Sequence, residues 1–474
     1  MTGLIAYRGR GAVTPIEMVD AAHIAACKRR LGARARRWLD ACGFEPSPGR
    51  LALLPDADGK LERVLIGVDP RAPLEALAAL PWQLPAGRYR LDAAGVPLDQ
   101  RLVALGWALG AYRFDRYSDA TRQAAQLVLQ RSELDVLQPL VDAVQQVRDL
   151  VNTPTEDMGP GELAGAVRAL ARTHRARVRE WVGEALLKAN FPTIHAVGRA
   201  SHRPPRLVEL TWGRPTAPKL VLVGKGVCFD TGGLDLKPSA GMRWMKKDMG
   251  GAAHAIALAS LVMAARLPVR LTLLVPTVEN AVSGNAIRPG DVVRTRAGHT
   301  VEIDNTDAEG RLILCDALAY AGEQDPDLVI DFATLTGAAR VALGPDLPAL
   351  FANREPLAQA VLQAAEAEHD PLWRLPLWRP YGTMLASNVA DFANAGPGRH
   401  AGAVTAALYL ERFIPAHTPW MHVDVYAWND AARPGHPAGG EAQGLRAFFA
   451  FLAGRYPGRK PSARKRPARK RGTR

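Results

Sequence analysis

Two stretches of the sequence concentrate residues that could do chemistry. The first is Gly224-Lys225-Gly-Val-Cys-Phe-Asp230-Thr-Gly-Gly233-Leu-Asp-Leu-Lys237-Pro, continued by Met245-Lys-Lys-Asp248-Met-Gly-Gly251; the second is Asp304-Asn-Thr-Asp307-Ala-Glu309-Gly310-Arg311-Leu312. Asp307 and Glu309 sit two apart, which in extended chain puts both carboxylates on one face. Their repulsion makes that arrangement costly without a cation. Hard oxygen ligands suit divalent metals, and carboxylates from two separate segments could hold two of them. Other readings compete. A Gly/Lys/Asp stretch is often a tight surface loop with solvated charges. A phosphate loop needs GxxxxGK[ST], and here Gly224-Lys225 is followed by Gly226. Asn305, Asp307, Glu309, Gly310 and Asp316 imitate the spacing of an EF-hand calcium loop, but that loop needs a preceding helix and His299-Thr-Val-Glu-Ile303 reads as a strand.

These clusters must be positioned by regular elements. Apolar runs Leu220–Val223, Leu271–Val275, Val301–Ile303 and Leu328–Asp331 read as strands, while Glu162–Thr173, Gly251–Arg266 and Arg311–Ala321 read as helices. Strands alternating with helices make an α/β architecture, in which ligands bind beyond the carboxyl ends of the strands. Both clusters follow strand patterns directly. Residues 1–145 mix short apolar runs (Leu51–Leu54, Val64–Val68) with helical patterns at Leu127-Val-Leu-Gln130 and Leu137–Leu150. The expected organisation is a small N-terminal α/β domain (1–145), a linker (146–160), a larger C-terminal α/β catalytic domain with a mixed sheet flanked by helices (161–454), and a disordered basic tail (455–474).

Composition narrows the function. The chain has 474 residues, 48% hydrophobic and 23% charged, ordinary for a soluble globular protein. The four cysteines are scattered with no CxxC pair, so neither a disulfide framework nor a cysteine zinc site is expected. The N-terminus lacks the charged-then-apolar order of a secretory signal, and the stretch Ala255–Ala265 falls well short of the ~20 residues needed to span a bilayer. A cytoplasmic protein without membrane association is expected. The net charge is +13, but residues 455–474 hold ten Lys or Arg and no acid, which leaves the body nearly neutral. The eleven histidines lie outside the two clusters and no HExxH occurs. His400 and His422 are expected to be structural, within stretches Asp391–Ala403 and Pro419–Asp424 that line the cleft or pack the sheet.

The residues from Gly224 to Ala253, with Asn305-Thr-Asp-Ala-Glu-Gly-Arg-Leu312, closely resemble the leucyl aminopeptidase family of two-metal exopeptidases. The likeness continues through Val278-Glu-Asn280, Ser283–Asp291, Ala333-Thr-Leu-Thr-Gly337 and Trp373–Leu377, and covers roughly residues 150–450. The order Lys225, Asp230, Lys237, Asp248, at spacings of 5, 7 and 11, makes it specific. The resemblance implies two divalent ions per subunit, zinc or manganese with magnesium as a further candidate. One would be held by Lys225, Asp230, Asp248 and Glu309, the other by Asp230, Asp307 and Glu309. A hydroxide shared by the two ions would attack the scissile carbonyl of a peptide with a free N-terminus, whose amine approaches Asp248. Lys237 would stabilise the oxyanion, and Arg311 would cradle a bicarbonate acting as general base.

The resemblance also places Met245, Thr334, Leu335 and Gly337 at the pocket for the first side chain, where an apolar lining would favour leucine-like residues, and implies a homohexamer. Taken alone, Lys225 and Lys237 read as surface cations, Arg311 as a partner of Asp316 or Glu309, and Met245 with its apolar loop as core. Cys228 departs from the serine or threonine usual at its position; it is either a small buried residue or a thiol near the metals. Two other functions use the same residues: a two-metal phosphoesterase, and a nucleic-acid-binding protein on an aminopeptidase scaffold. A Lys/Asp position suited to an amine favours the peptidase over the first, and intact ligands count against the second. The tail could bind nucleic acid nonspecifically through phosphates, or serve only to solubilise.

Overall fold

The computed structural model describes residues 3–458, except Arg8, Arg10, 119–121, Pro397 and Arg399. Residues 459–474, most of the expected basic tail, lie outside the described residues. Tyr456, inside that expected tail, is buried and packs with the main core.

The N-terminal part builds a six-stranded sheet in the order Leu4–Ala6, Gln126–Leu129, Arg88–Leu91, Thr14–Val19, Leu61–Gly67, Leu51–Pro55. All neighbours are parallel except the last pair. Leu127-Val-Leu-Gln130 is therefore mostly strand, not helix. A four-residue apolar run fits either period, and here pairing on both sides decides. The almost wholly buried helix Gln100–Gly110 is capped by Asp99, whose carboxylate accepts from the Arg101 and Leu102 amides.

The helix Arg131–Asn152 runs from the first domain into the second. Glu133 accepts the Gln130 amide at its start (2.8 Å). Near its end the fully buried Arg148 donates to the carbonyls of Leu109 (2.8 Å) and Gly435 (2.7 Å) and to Glu441 (3.0 Å). Residues 146–160 thus hold the end of this helix, a short 3-10 turn at Thr155–Asp157 and the start of the next helix, Pro160–His174.

The larger domain is built on a nine-stranded mixed sheet. Its order is Trp373–Arg374, Ala349–Ala352, Trp420–Asp424, Leu328–Ala333, Lys219–Gly224, Arg270–Asn280, Arg206–Trp212, Arg177–Val182, with Gly226–Asp230 also beside Arg270–Asn280. The four central strands, from Trp420–Asp424 to Arg270–Asn280, are parallel. Alternate residues serve opposite faces, as the period of two requires. Leu220, Leu222, Leu328 and Ile330 join the core that includes helix Gly250–Ala264. Val221, Val223 and Val329 join the core that includes helix Glu309–Gly322. Burial on both faces is why these strands read as unbroken apolar runs rather than alternating ones. Val301 lies outside this sheet, in a three-stranded one formed by Val292–Arg294, Thr300–Glu302 and Phe392–Ala393. No helix among the described residues is long and apolar enough to cross a membrane.

Candidate active site

Because the central strands are parallel, their carboxyl ends open on one edge. Lys225 follows the strand ending at Gly224, Thr334 the one ending at Ala333, and Asp424 and Asn280 end two others. The second cluster reaches the same edge at the N-terminus of helix Glu309–Gly322. A cleft of about 500 Å³ results, lined by Lys225, Asp230, Lys237, Asp248, Asp307 and Arg311.

Lys225 is 3% exposed. Its Nζ lies 2.8 Å from Asp248 Oδ2, 2.9 Å from Glu309 Oε1 and 2.8 Å from the Thr334 carbonyl. Burial works to lower its pKa, but Asp248, Glu309 and Asp230 together outweigh that and raise it. Lys237 Nζ lies 2.8 Å from Asp230 Oδ2 and also pairs with Asp307. Asp230 is aimed from its other side: Oδ1 accepts the Gly232 amide and Asn280 Nδ2, both at 2.8 Å. Asp248 Oδ1 accepts from the Thr334 hydroxyl (2.8 Å).

Four carboxylates thus share a buried space with two ammonium groups. Burial, then repulsion from Asp230, raises the Asp307 carboxyl to about 6 and the Glu309 carboxyl well above its ordinary range. Glu309 Oε2 is buried with neither a hydrogen bond nor an ion pair among the described residues, while Glu309 Oε1, Asp248 Oδ2 and Asp307 Oδ1 are buried with only a lysine ammonium group against them. Oxygens of Asp230, Asp307 and Glu309 lie within 4.8 Å of one another. Buried carboxylates crowded on one point, balanced only by two ammonium groups, are what divalent cations relieve, and the donor set fits them. Gly310 makes the crowding feasible, since a Cβ there would stand 2.5 Å from Lys225 Cε.

Arg311 lines the cleft, and its guanidinium donates to the Asn394 carbonyl. Among the described residues it forms no ion pair; Asp316 instead accepts the Thr193 and Arg296 amides (2.9 and 2.7 Å). Asp316 in that role, and the strand before the second cluster, exclude the calcium-loop reading. Met245, Thr334, Leu335 and Gly337 all line the cleft.

Comparison with known proteins identifies this architecture. Residues 145–449 match the catalytic domain of the cytosol aminopeptidase family, and residues 14–130 match the M17 aminopeptidase N-terminal domain. The chain belongs to the cytosol aminopeptidase family. A probable cytosol aminopeptidase of Syntrophotalea carbinolica is 42% identical over 380 residues, 76% of each chain. The crystal structure of the cytosol aminopeptidase from Coxiella burnetii superposes with a TM-score of 0.93 at 47% identity, covering 96% of this chain and 99% of that one. The bottromycin maturation enzyme BotP in complex with Mn gives a TM-score of 0.83 at 35% identity, covering 96% and 100%. This cytosol aminopeptidase family member is a metal-dependent hydrolase of the leucyl aminopeptidase type.

Several residues that shape this aminopeptidase site are given no individual role by the sequence, although Asn280 lies in a stretch that carries the resemblance and Asn394 and Asp424 lie in stretches expected to line the cleft or pack the sheet. Asn280 ties Asp230 to the Thr306 carbonyl (3.1 Å). Asp424 anchors the 334–337 loop by accepting from the Leu335 amide (2.9 Å), the Thr336 amide (3.2 Å) and the Thr336 hydroxyl (2.6 Å). Asn394 accepts the Asp304 amide and donates to the Asn305 carbonyl (2.9 and 2.7 Å), bracing the second cluster. Lys247, Arg340 and Tyr426 also line the cleft. Burial lowers the Lys247 ammonium to about 8, against the pull of Asp248. Cys228 is buried beside Thr277 Oγ1 (3.4 Å), its thiol pushed up to about 12 by burial. It is a small core residue. His422 is buried against Asp331 (2.5 Å), and exposed His400 stands at the cleft's rim.

Proposed function

We propose that this protein releases N-terminal amino acids from peptides with two divalent cations held by the cluster just described. The observation that carries this reading is the convergence of Asp230, Asp307 and Glu309, with Glu309 Oε2 buried and unpartnered among the described residues. Lys225, Asp230, Asp248 and Glu309 would hold one ion; Asp230, Asp307 and Glu309 would hold the other. Bound cations supply a lower pKa to water and polarisation to a carbonyl. Lys225 would hold an ion only as the neutral amine, its proton passing to solvent. Asp248 would face the substrate's free amine, which suits an exopeptidase. Lys237 stands between Asp230 and Asp307 to receive negative charge developing on the carbonyl oxygen. Arg311, backed by the Asn394 carbonyl, presents its remaining N–H groups for an anion such as bicarbonate, which would take the proton from water.

Zinc, manganese and magnesium all suit the oxygen donors; the manganese complex of BotP makes manganese the first to test. We propose a cytoplasmic location, and a homohexamer whose contacts use exposed Trp373, Trp378 and Tyr381. The test is a panel of aminoacyl chromogenic substrates with each metal added back after chelation. Chelation should abolish hydrolysis, metal should restore it, and N-acetylated peptides should be inert. Full activity after chelation, or comparable cleavage of blocked peptides, would refute the reading.

A further inference from the structure

The cleft has a cationic wall that the chemistry above does not use. Lys247, in the 3-10 turn Met245–Met249, is 6% exposed, and its Nζ lies 4.8 Å from the centroid of the Tyr426 ring. The Arg340 guanidinium, on helix Gly337–Leu343, lies 4.8 Å from the same centroid. Neither cation forms an ion pair among the described residues, although acids stand close by. Asp248 is taken by Lys225 and Thr334. Asp424 is taken by the 335–336 loop, and Asp430 accepts the Tyr426 hydroxyl (3.1 Å). A buried ammonium with only a ring face for company is costly. An anion would complete the arrangement, and the cleft that Lys247 and the exposed Arg340 both line gives it access.

The position within the cleft says which part of a substrate would bring that anion. Lys247 and Arg340 belong to the same turn and helix as Met245 and Gly337, which line the cleft with Leu335 and which the family resemblance places at the pocket for the first side chain. Arg311, Ala395 and His400, from other segments of the chain, also line the cleft. We propose that the first-residue pocket accepts an acidic side chain, with Lys247 and Arg340 binding the carboxylate of an N-terminal Glu or Asp and Tyr426 holding the two cations in place. This rests on the aminopeptidase reading of the site and replaces the leucine-like preference that an apolar pocket implies.

Glutamate and glutamine substrates separate charge from shape. With the metal-loaded full chain, kcat/KM for Glu-, Gln-, Leu- and Met-p-nitroanilide should show Glu ahead of Gln by roughly ten- to a hundredfold, the value of a charge-assisted hydrogen bond in a largely buried site. Lys247→Met should bring the Glu/Gln ratio to about one, and Arg340→Gln should lower it in part; each ratio is taken within one protein, so partial misfolding cancels. Product binding makes the comparison without turnover: L-glutamate should bind more tightly than L-glutamine by calorimetry. Glu no better than Gln in the unmutated enzyme overturns the proposal, while hydrolysis of Gln and Leu substrates in the same assay leaves the aminopeptidase reading standing. No hydrolysis of any of the four with any metal overturns both.

Discussion

Gly310→Ala puts one methyl group against the most crowded point of the site. The new Cβ would stand 2.5 Å from Lys225 Cε, 2.8 Å from Nζ and 2.9 Å from Cδ, whereas carbon atoms pack best at about 3.5–4.0 Å. The lysine stem must therefore retreat by about 1 Å. Global stability should hardly register this. Gly to Ala in a helix gains up to about 1 kcal/mol, while over-packing costs about 1–3 kcal/mol, so a net loss of about 0–2 kcal/mol is expected. Function should register it strongly, because the retreat draws Nζ away from Asp248, Glu309 and the Thr334 carbonyl, all now at 2.8–2.9 Å. A 1 Å misplacement in a site can cost about a hundredfold in rate. The assay pairs urea unfolding with kcat and with metal stoichiometry after dialysis. Gly454→Ala, on helix Leu445–Arg455 where a Cβ would meet nothing within 4 Å, serves as the control. If Gly310→Ala keeps both metal occupancy and kcat, the assignment of Lys225 as a ligand held by packing is wrong.

Other perturbations separate roles. Glu309→Ala should lose metal and activity together, whereas Lys237→Ala should keep most metal and lose about 10²–10³ in kcat; emptied sites in Lys237→Ala, by metal analysis, would reverse the assignment. Glu441 is buried, and although burial opposes it, Arg148 and His436 hold its carboxyl down at about 2. A folded value below the ordinary one gives stability that is full above the ordinary carboxylate range and drains away as pH falls toward that value, about 3 kcal/mol here. Glu441→Gln should therefore cost about that much near neutrality and progressively less in acid, read by denaturant titration at several pH values. Native thiol titration should label exposed Cys42 alone, since Cys27, Cys228 and Cys315 are buried; a fast second thiol would contradict the inert placement of Cys228. Deleting 459–474 should leave kcat/KM for small peptides unchanged and abolish any low-salt retention on nucleic acid, whereas a deletion reaching Tyr456 should also destabilise the core.

What the sequence disclosed divides along physical lines. Asp307 and Glu309 are legible because they are close in sequence, and like charges so close together are costly without a cation; Lys225 and Lys237, which alone read as surface cations, take their roles only from the family resemblance. The strands at Leu220 and Leu328 are legible because burial on both faces leaves continuous apolar runs. Leu127-Val-Leu-Gln130 misleads because a short run carries no period of its own, and pairing with Leu4–Ala6 supplies what the local text lacks. The whole N-terminal domain is silent about function because its residues pack rather than react. Lys247, Arg340 and Tyr426 could not be joined in advance. They come from three segments that only the ordering of the central strands brings together, and each alone reads as an ordinary surface or core residue.

The placement of the cluster at the ends of several strands also governs when in synthesis the site can be completed. Lys225, Asp230 and Asp248 leave the ribosome well before Asp307 and Glu309, and Thr334, which braces both Lys225 and Asp248, comes later still. Strand Leu328–Ala333, which pairs with Lys219–Gly224 and leads into Thr334, is made after every one of these acids and lysines. The brace on Lys225 and Asp248 is therefore supplied only once the chain has been made through Thr334, so the full arrangement belongs to the long chain and not to the two clusters by themselves.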